Sequence, residues 1–436
     1  MGFEVPSSAT ILALSQQALE RCDILATHTE EPGKITRTFL SKPAHEVQAK
    51  LEAWMNEAGL TTRVDAVGNV IGRLEGNSPS AKTLLIGSHI DTVPNAGRYD
   101  GILGVMLGIA VSRALGAHKL PFALEVIAFS EEEGVRFNMP FIGSKAVVGS
   151  VDRALLEKTD ALGTSVAQAI VDYGLNPNDI PSAAYKPSEV LGYLEVHIEQ
   201  GPILESRQAP LGLVEAVAGQ TRVNLEFRGQ AAHAGTTPMN LRKDALVVAS
   251  TLVLEAERMA KTIPGLVATV GTLEVENGAG NIIPGRVRAS LDVRHADDAT
   301  RERAVADLLD FTWHTGQRRK VNLDHQIKLE QRAVPMDSLL TEFLADALED
   351  CGFKNRASLP TLQTSLEKTA SVHRLTSGAG HDAMILAGMT KATMLFIRSP
   401  RGLSHHPDEA VIPSDVKAAL TVMLEFLKKL ERWQAN

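Results

Sequence analysis

The chain has 436 residues, 44% of them hydrophobic and 22% charged. That is ample material for a buried core and too long for one typical domain, so two are expected. A net charge of −8 with only 4% aromatic residues argues against a phosphate-binding or base-stacking surface, and no nucleic-acid partner is expected.

In chain order, the N-terminal stretch MGFEVPSSATIL lacks a basic segment followed by a long apolar core, so no signal peptide is expected. Cys22 and Cys351 build no disulfide framework and no CxxC thiolate site. Apolar runs such as ALVVASTLVL are too short to span a bilayer. A cytoplasmic protein with no membrane partner is the expectation.

Residues 83 to 133 read as a β-α-β unit: TLLIGSH a strand, GILGVMLGIAVSRALG a helix of small residues, FALEVIAFS a second strand. Short, nearly continuous apolar strands joined by a helix predict a parallel sheet covered on both faces. Such sheets carry ligands beyond the carboxyl ends of their strands. His89 leaves one such end, with Asp91 and Asp100 close behind, and Glu131, Glu132 and Glu133 leave the other. In YLEVHIEQGP, Leu194, Val196 and Ile198 alternate against Glu195, His197 and Glu199, which predicts a strand with one polar face.

The texture changes between about residues 214 and 329. TRVNLEFRG places Val223, Leu225 and Phe227 on one face and Arg222, Asn224, Glu226 and Arg228 on the other. A helix from Asp244 to Lys261 follows, then strands LVATVGTLEV and GRVRASLDVRH, a helix DATRERAVADLLDFTWHTG and a strand VNLDHQIKLE. The order β-α-β-β-α-β with half-polar strands predicts a small two-layer, ferredoxin-like α+β domain. Apolar α/β texture resumes at KATMLFI, so this domain reads as an insertion. The expected division is 1–213 and 330–436 for a largely parallel-sheet α/β domain and 214–329 for the insert.

Four loci carry ligand-type side chains: His89 with Asp91 and Asp100, the SEEEG run, the His197 strand, and GLSHHPDE with His405 and His406. Each alone has an ordinary structural reading, as a hydrogen-bonded histidine, an acidic turn or loop surface. Their co-occurrence at strand ends points to metal. Imidazole with carboxylate and no thiolate suits zinc, manganese or cobalt. Two ions about 3.5–4 Å apart need a shared carboxylate.

The motifs GSHIDTV, DGILG, EEEGVRF, HIEQGP, GQAAHAGTTPM, NIIPGRV, SGAGHDA and GLSHHPDE, in this order over nearly the whole chain, resemble the hydantoinase/carbamoylase group of amidases. That group holds N-carbamoyl-L-amino-acid hydrolase, β-ureidopropionase and allantoate amidohydrolase, and belongs with the co-catalytic aminoacylase and carboxypeptidase-like metallohydrolases. The resemblance implies two divalent ions per subunit, His89 and His197 on one, Glu133 and His405 on the other, and Asp100 bridging. Glu132 matches the group's general base, and His233 a histidine that stabilises the oxyanion from the partner subunit of a homodimer. Asn281 and Arg294 match residues that bind the substrate carboxylate. Gln200, Gln220, Gly378 and Ala379 are further substrate-side candidates, and Asp91 and His381 are expected behind the ligands, Asp91 orienting the His89 ring. His406 stands where the group varies, and His405 is taken as the ligand.

The implied reaction is metal-dependent cleavage of a linear C–N bond in an N-carbamoyl-L-amino acid, releasing ammonia and carbon dioxide. Allantoate is the close alternative substrate. A metallopeptidase or aminoacylase on the same scaffold, or a non-catalytic binding protein, are alternatives of other classes. The inserted domain is expected to dimerise and to close over the site, with Gly212 and Gly219 as conceivable hinges.

Overall fold

The computed structural model describes residues 2–353 and 372–435. The chain divides into two compact units, one of residues 1–215, 336–375 and 381–436, the other of 216–335 and 376–380. The insert thus begins and ends a few residues later than the sequence texture suggests. It also takes in five residues of the SGAGHDA region.

In the first unit, seven strands run in the order Thr61–Val64, Val70–Leu74, Ala123–Phe129, Thr83–His89, Val190–Ile198, Ala392–Ile397, Leu211–Val217. The four from Ala123–Phe129 to Ala392–Ile397 are parallel, and the flanking pairings are antiparallel. The parallel strands at 83–89, 123–129 and 392–397 are buried along their whole length, which is why their sequences are apolar runs rather than alternations. Helix Ile102–Leu115, buried almost all round, packs between this sheet and helices Ser8–Ala26 and Pro413–Gln434. Gly104 makes that approach possible: a Cβ there would lie 2.2 Å from the Val196 carbonyl oxygen.

Parallel register sets the site. His89 ends its strand opposite Phe129, and the acidic run follows at once. On the other side, Phe396 pairs with His197, so the chain leaving Ile397 toward His405 emerges at the same edge of the sheet.

The strand Val190–Ile198 departs from expectation. Glu195, His197 and Glu199 are buried, so it has no solvated polar face. It sits mid-sheet, and its acids are satisfied internally. Ser88 Oγ and the Ala383 N–H donate to Glu195 at 3.2 and 2.8 Å. The Ile203 and Leu204 N–H groups donate to Glu199 at 2.7 and 3.0 Å.

The second unit is an antiparallel sheet ordered Asn322–Gln331, Gly219–Arg228, Arg286–His295, Val267–Val275, with helices Ala245–Thr262 and Asp298–Arg319. This is the ferredoxin-like order. Val223, Leu225, Phe227, Val287, Ala289, Leu291 and Val293 form its core with Val248, Leu252 and Leu308 of the helices. Asp244 caps the first helix by accepting from Leu246 and Val247 N–H at 3.0 and 3.2 Å.

Of the glycines read as hinges, Gly212 is the second residue of its strand and Gly219 the first of its own. A Cβ would meet Leu375 Cδ1 at 2.6 Å in the first case and Asp298 Oδ1 at 2.6 Å in the second. Close packing accounts for both glycines. Among the described residues, no helix is long and apolar enough to cross a membrane.

Candidate functional site

At the carboxyl edge of the parallel strands, His89, Asp100 and His197 form one group of ligand atoms, and Asp100, Glu133 and His405 another. Asp100 is common to both and turns a different oxygen to each. His197 Nε2 and His89 Nε2 lie 3.2 and 3.7 Å from its Oδ1, and His405 Nε2 lies 3.3 Å from its Oδ2. Glu133 Oε1 is 3.5 Å from His405 Nε2. His89, Glu132 and Glu133 make a third, overlapping group.

The backbone selects the tautomers. His89 Nδ1 lies 3.0 Å from the Asp91 carbonyl oxygen, and His197 Nδ1 2.9 Å from that of Ile198. A carbonyl only accepts, so both Nδ1 atoms carry hydrogen and, in the neutral rings, both Nε2 atoms present lone pairs. Those Nε2 atoms are 3.4 Å apart, and two lone pairs cannot bond each other. Four donors about 2.1 Å from one ion stand about 3.4 Å apart, so a divalent cation fits the pair.

Without metal the same carboxylates draw protons to these rings. Against burial, hydrogen bonds to Asp100 and Asp91 raise His89 well above its usual value, and that to Asp100 raises His197, so an ion would take the place of those protons. Burial opposes ionisation of Asp100, yet His197, His405 and His89 more than offset it and hold its carboxyl well below the ordinary range. Burial, then Asp100, pushes Glu133 up to about 7. The hydrogen bond from His405 to Asp100 raises that imidazole to about 9. Burial raises Glu132 well above the carboxylate range, against the pull of His89.

Asp91 faces the His89 ring with both its carbonyl and its carboxylate and also acts on the backbone. Its carboxylate stands 3.4 Å from His89 Nδ1, farther than its own carbonyl. The carboxylate also accepts the N–H groups of Glu132 and Glu133 at 2.9 and 3.1 Å, so Asp91 fixes the backbone that carries both acids. Glu131 closes the same turn by accepting from the Gly134 and Ile142 N–H groups. His381 is buried, its ring 4.6 Å from that of His197. Burial, then His197, keeps it neutral by lowering its pKa well below the usual value. His406 turns away and caps the Asp408 N–H at 3.0 Å.

Gln200 and His405 both adopt left-handed backbone, φ 58° and 54°, a conformation that costs energy and recurs at functional sites. Gln200 Nε2 donates toward Asp100 Oδ1 and Oδ2 at 3.2 and 3.1 Å.

The second unit holds two further loci. His233 pairs with Ile282 across a short antiparallel bridge, and the Ala234 N–H donates to the Asn281 carbonyl at 2.9 Å, so His233 and Asn281 are neighbours, both exposed. His233 Nδ1 accepts from the Gly235 and Thr236 N–H groups at 3.1 and 3.2 Å. The neutral ring therefore carries its proton on Nε2 and offers a donor there.

The other locus centres on Arg294, which pairs with Gln220 on the adjacent strand. Gln220 Nε2 donates to Gln331 Oε1 at 2.6 Å. Arg294 is not free to swing toward a ligand. Asp292 engages its Nε and Nη2 at 2.8 and 2.9 Å, and the Gly378 carbonyl accepts from Nη1 at 2.6 Å. Ala379 N–H and carbonyl are both bonded to Ser377 Oγ, which makes 377–379 a closed turn.

The sequence pattern of peptidase family M20/M25/M40 matches residues 85–429. The chain belongs to this family. It is 37% identical over 442 residues to allantoate deiminase 2 of Glycine max, covering 96% of this chain and 90% of that one. It is 36% identical over 421 residues to the N-carbamoyl-L-amino-acid amidohydrolase of Pseudomonas sp. (strain NS671), covering 93% and 97%. The crystal structure of a hydantoinase/carbamoylase family amidase from Burkholderia multivorans superposes with a TM-score of 0.86 at 30% identity, covering 95% and 97%. The chain is accordingly a hydrolase of carbon–nitrogen bonds other than peptide bonds, on a metallohydrolase scaffold whose donor set fits divalent metal.

Three residues of this M20 hydrolase went unread in the sequence. Glu409, buried and bonded to the Asp100 N–H, lies inside the GLSHHPDE motif. Asp292 stands two residues before Arg294, hence on the same strand face. Arg37, buried far upstream, donates through Nε to the Ile90 carbonyl at 2.7 Å and braces the turn after His89. Nothing near Arg37 in sequence signals that role.

Proposed function

We propose that the chain hydrolyses a linear ureido group standing beside a carboxylate, with N-carbamoyl-L-amino acids as substrates and ammonia and carbon dioxide released from the carbamoyl end. One observation carries this reading: Asp100 turns one oxygen to His89 and His197 and the other to His405, the partner of Glu133. Two ions, zinc, manganese or cobalt, would be held by His89, His197 and Asp100 and by Asp100, Glu133 and His405. When bound, such ions acidify water and polarise a carbonyl oxygen.

The chain's own groups supply the rest. Glu132, buried beside His89 and Glu133, takes the proton of the attacking water and returns it to the departing nitrogen. His233 donates Nε2–H to the oxygen on which negative charge develops, a contribution worth about 10²–10³ in rate where one such donor has been removed. In the homodimer we infer, it serves the other protomer's site. Arg294 and Asn281 take the substrate carboxylate, and Gln200, Gln220 and the turn at Gly378 and Ala379 contact the remainder. Asp91 and His381 hold ligands in place.

The likeness to the Glycine max allantoate deiminase favours a second reading, allantoate, which also presents a ureido group beside a carboxylate. Ammonia release by manganese-loaded enzyme separates the two. The panel holds allantoate, several N-carbamoyl-L-amino acids, N-carbamoyl-β-alanine and a dipeptide. Turnover of a ureido acid with a silent dipeptide supports the reaction class and selects the substrate. Dipeptide cleavage without ammonia from any ureido compound overturns it, as does full turnover by Glu132→Ala.

A further inference from the structure

We propose that Asp292 is a positioning residue that presets the Arg294 guanidinium to receive one carboxylate, an inference that rests on the reading of Arg294 as the substrate-carboxylate residue. A guanidinium has five N–H donors and no acceptor. Asp292 Oδ1 takes the Nε–H at 2.8 Å and Oδ2 takes one Nη2–H at 2.9 Å. The Gly378 carbonyl takes one Nη1–H at 2.6 Å. Among the described residues two donors are left, one on each terminal nitrogen, which is the number that the two oxygens of a single carboxylate require.

Charge is arranged to the same end. Asp292 faces Arg222 in the strand register, and Arg222 Nε donates to Asp292 Oδ2 at 3.0 Å. Two guanidiniums share one carboxylate, so the locus keeps a net positive charge although Arg294 is already paired. The two acid contacts and the Gly378 carbonyl hold a side chain that would otherwise lose rotamer entropy on binding. The Gly378 carbonyl on this account acts through Arg294.

The test uses the ureido acid that the enzyme turns over best and the primary carboxamide of that compound. Wild-type enzyme should prefer the acid. Asp292→Asn should raise KM for the acid by about tenfold or more, with kcat within about threefold, because a preset charge-assisted contact is lost and the chemistry is untouched. KM for the carboxamide should stay where it was, which a general structural defect would not allow. Arg222→Gln, which leaves the whole Asp292 charge on Arg294, should raise KM for the acid in the same direction and serves if Asp292→Asn does not fold. An acid KM unchanged in the variants that fold overturns the proposal. A wild-type enzyme indifferent between acid and carboxamide overturns the underlying role of Arg294, so the two failures are distinguishable.

Discussion

Glu409 accepts the backbone N–H groups of Tyr99 and Asp100 through one carboxylate oxygen, at 2.9 and 3.1 Å, although it stands 309 positions after Asp100 in the chain. Its other oxygen lies 3.2 Å from Ser404 Oγ, itself 3.1 Å from Asp100 Oδ2. Glu409 thus ties the loop of Asp100 to the loop of His405. Gly97 admits it, since a Cβ there would lie 2.3 Å from Glu409 side-chain atoms.

Groups that orient metal ligands from behind typically contribute about 10–100-fold in metal affinity. Glu409→Ala should weaken metal binding by about that factor, measured by competition with a chromophoric chelator. Glu409→Gln, which keeps one acceptor oxygen, should fall between. Wild-type affinity in Glu409→Ala would remove Glu409 from the metal site.

The titrations give a pH prediction whose sign follows from linkage. Glu133 and Glu409 are both raised from 4.5 to about 7, by burial first and Asp100 second. His405 is raised from 6.5 to about 9 by its hydrogen bond to Asp100. In metal-free protein each group binds more protons folded than unfolded, so stability drawn from them falls as pH rises, through about 7 for the acids and about 9 for the imidazole. Asp100, held low, loses its contribution only in acid, below the 3.8 of a free aspartate.

On the proposed ligand assignment metal reverses the dependence, because it would need Glu133 ionised and His405 neutral and would have to displace their protons. Tm of chelated enzyme should therefore decline from pH 5 to pH 9, while the gain in Tm on adding manganese widens. At one hundred times Kd a single site adds about 2.7 kcal/mol. A metal-induced gain that shrinks with rising pH would contradict this assignment of ligands.

Local patterns carried most of the fold. Apolar runs marked the parallel strands, and strict alternation marked Gly219–Arg228, because burial on two faces or on one is written directly into residue order. The Val190–Ile198 strand misled for the same reason. Its Glu195 and His197 alternate like a solvated face, and only the neighbouring strands and Ser88 and Ala383 reveal that they are buried donors and acceptors. At the candidate site, the histidines and acids that come together could be read, because imidazoles and carboxylates at strand ends are few. The bracing groups could not. Arg37 and Glu409 act on residues far away in sequence, and Asp91 acts by its carboxylate on backbone N–H groups that no side-chain motif records.

Gly101 puts a glycine requirement at the heart of the ligand set. Its backbone, at φ 68° and ψ −60°, lies in a region that a residue with a Cβ avoids, and a Cβ there would stand 2.5 Å from Cδ2, Cε1 and Nε2 of the His89 ring. Gly101→Ala therefore combines a backbone penalty of about 1–3 kcal/mol with displacement of the imidazole that faces Asp100. Gly33→Ala separates the two costs, since Gly33 has φ 82° and a Cβ there would meet nothing within 4 Å. Denaturant midpoints should fall for both variants, and further for Gly101→Ala. Metal affinity should fall only for Gly101→Ala, because only there does the methyl group reach a ligand. Equal metal affinity in the two variants would mean that the His89 ring has room to shift without leaving the ion, and the tight ring placement argued from the paired Nε2 atoms would then be wrong.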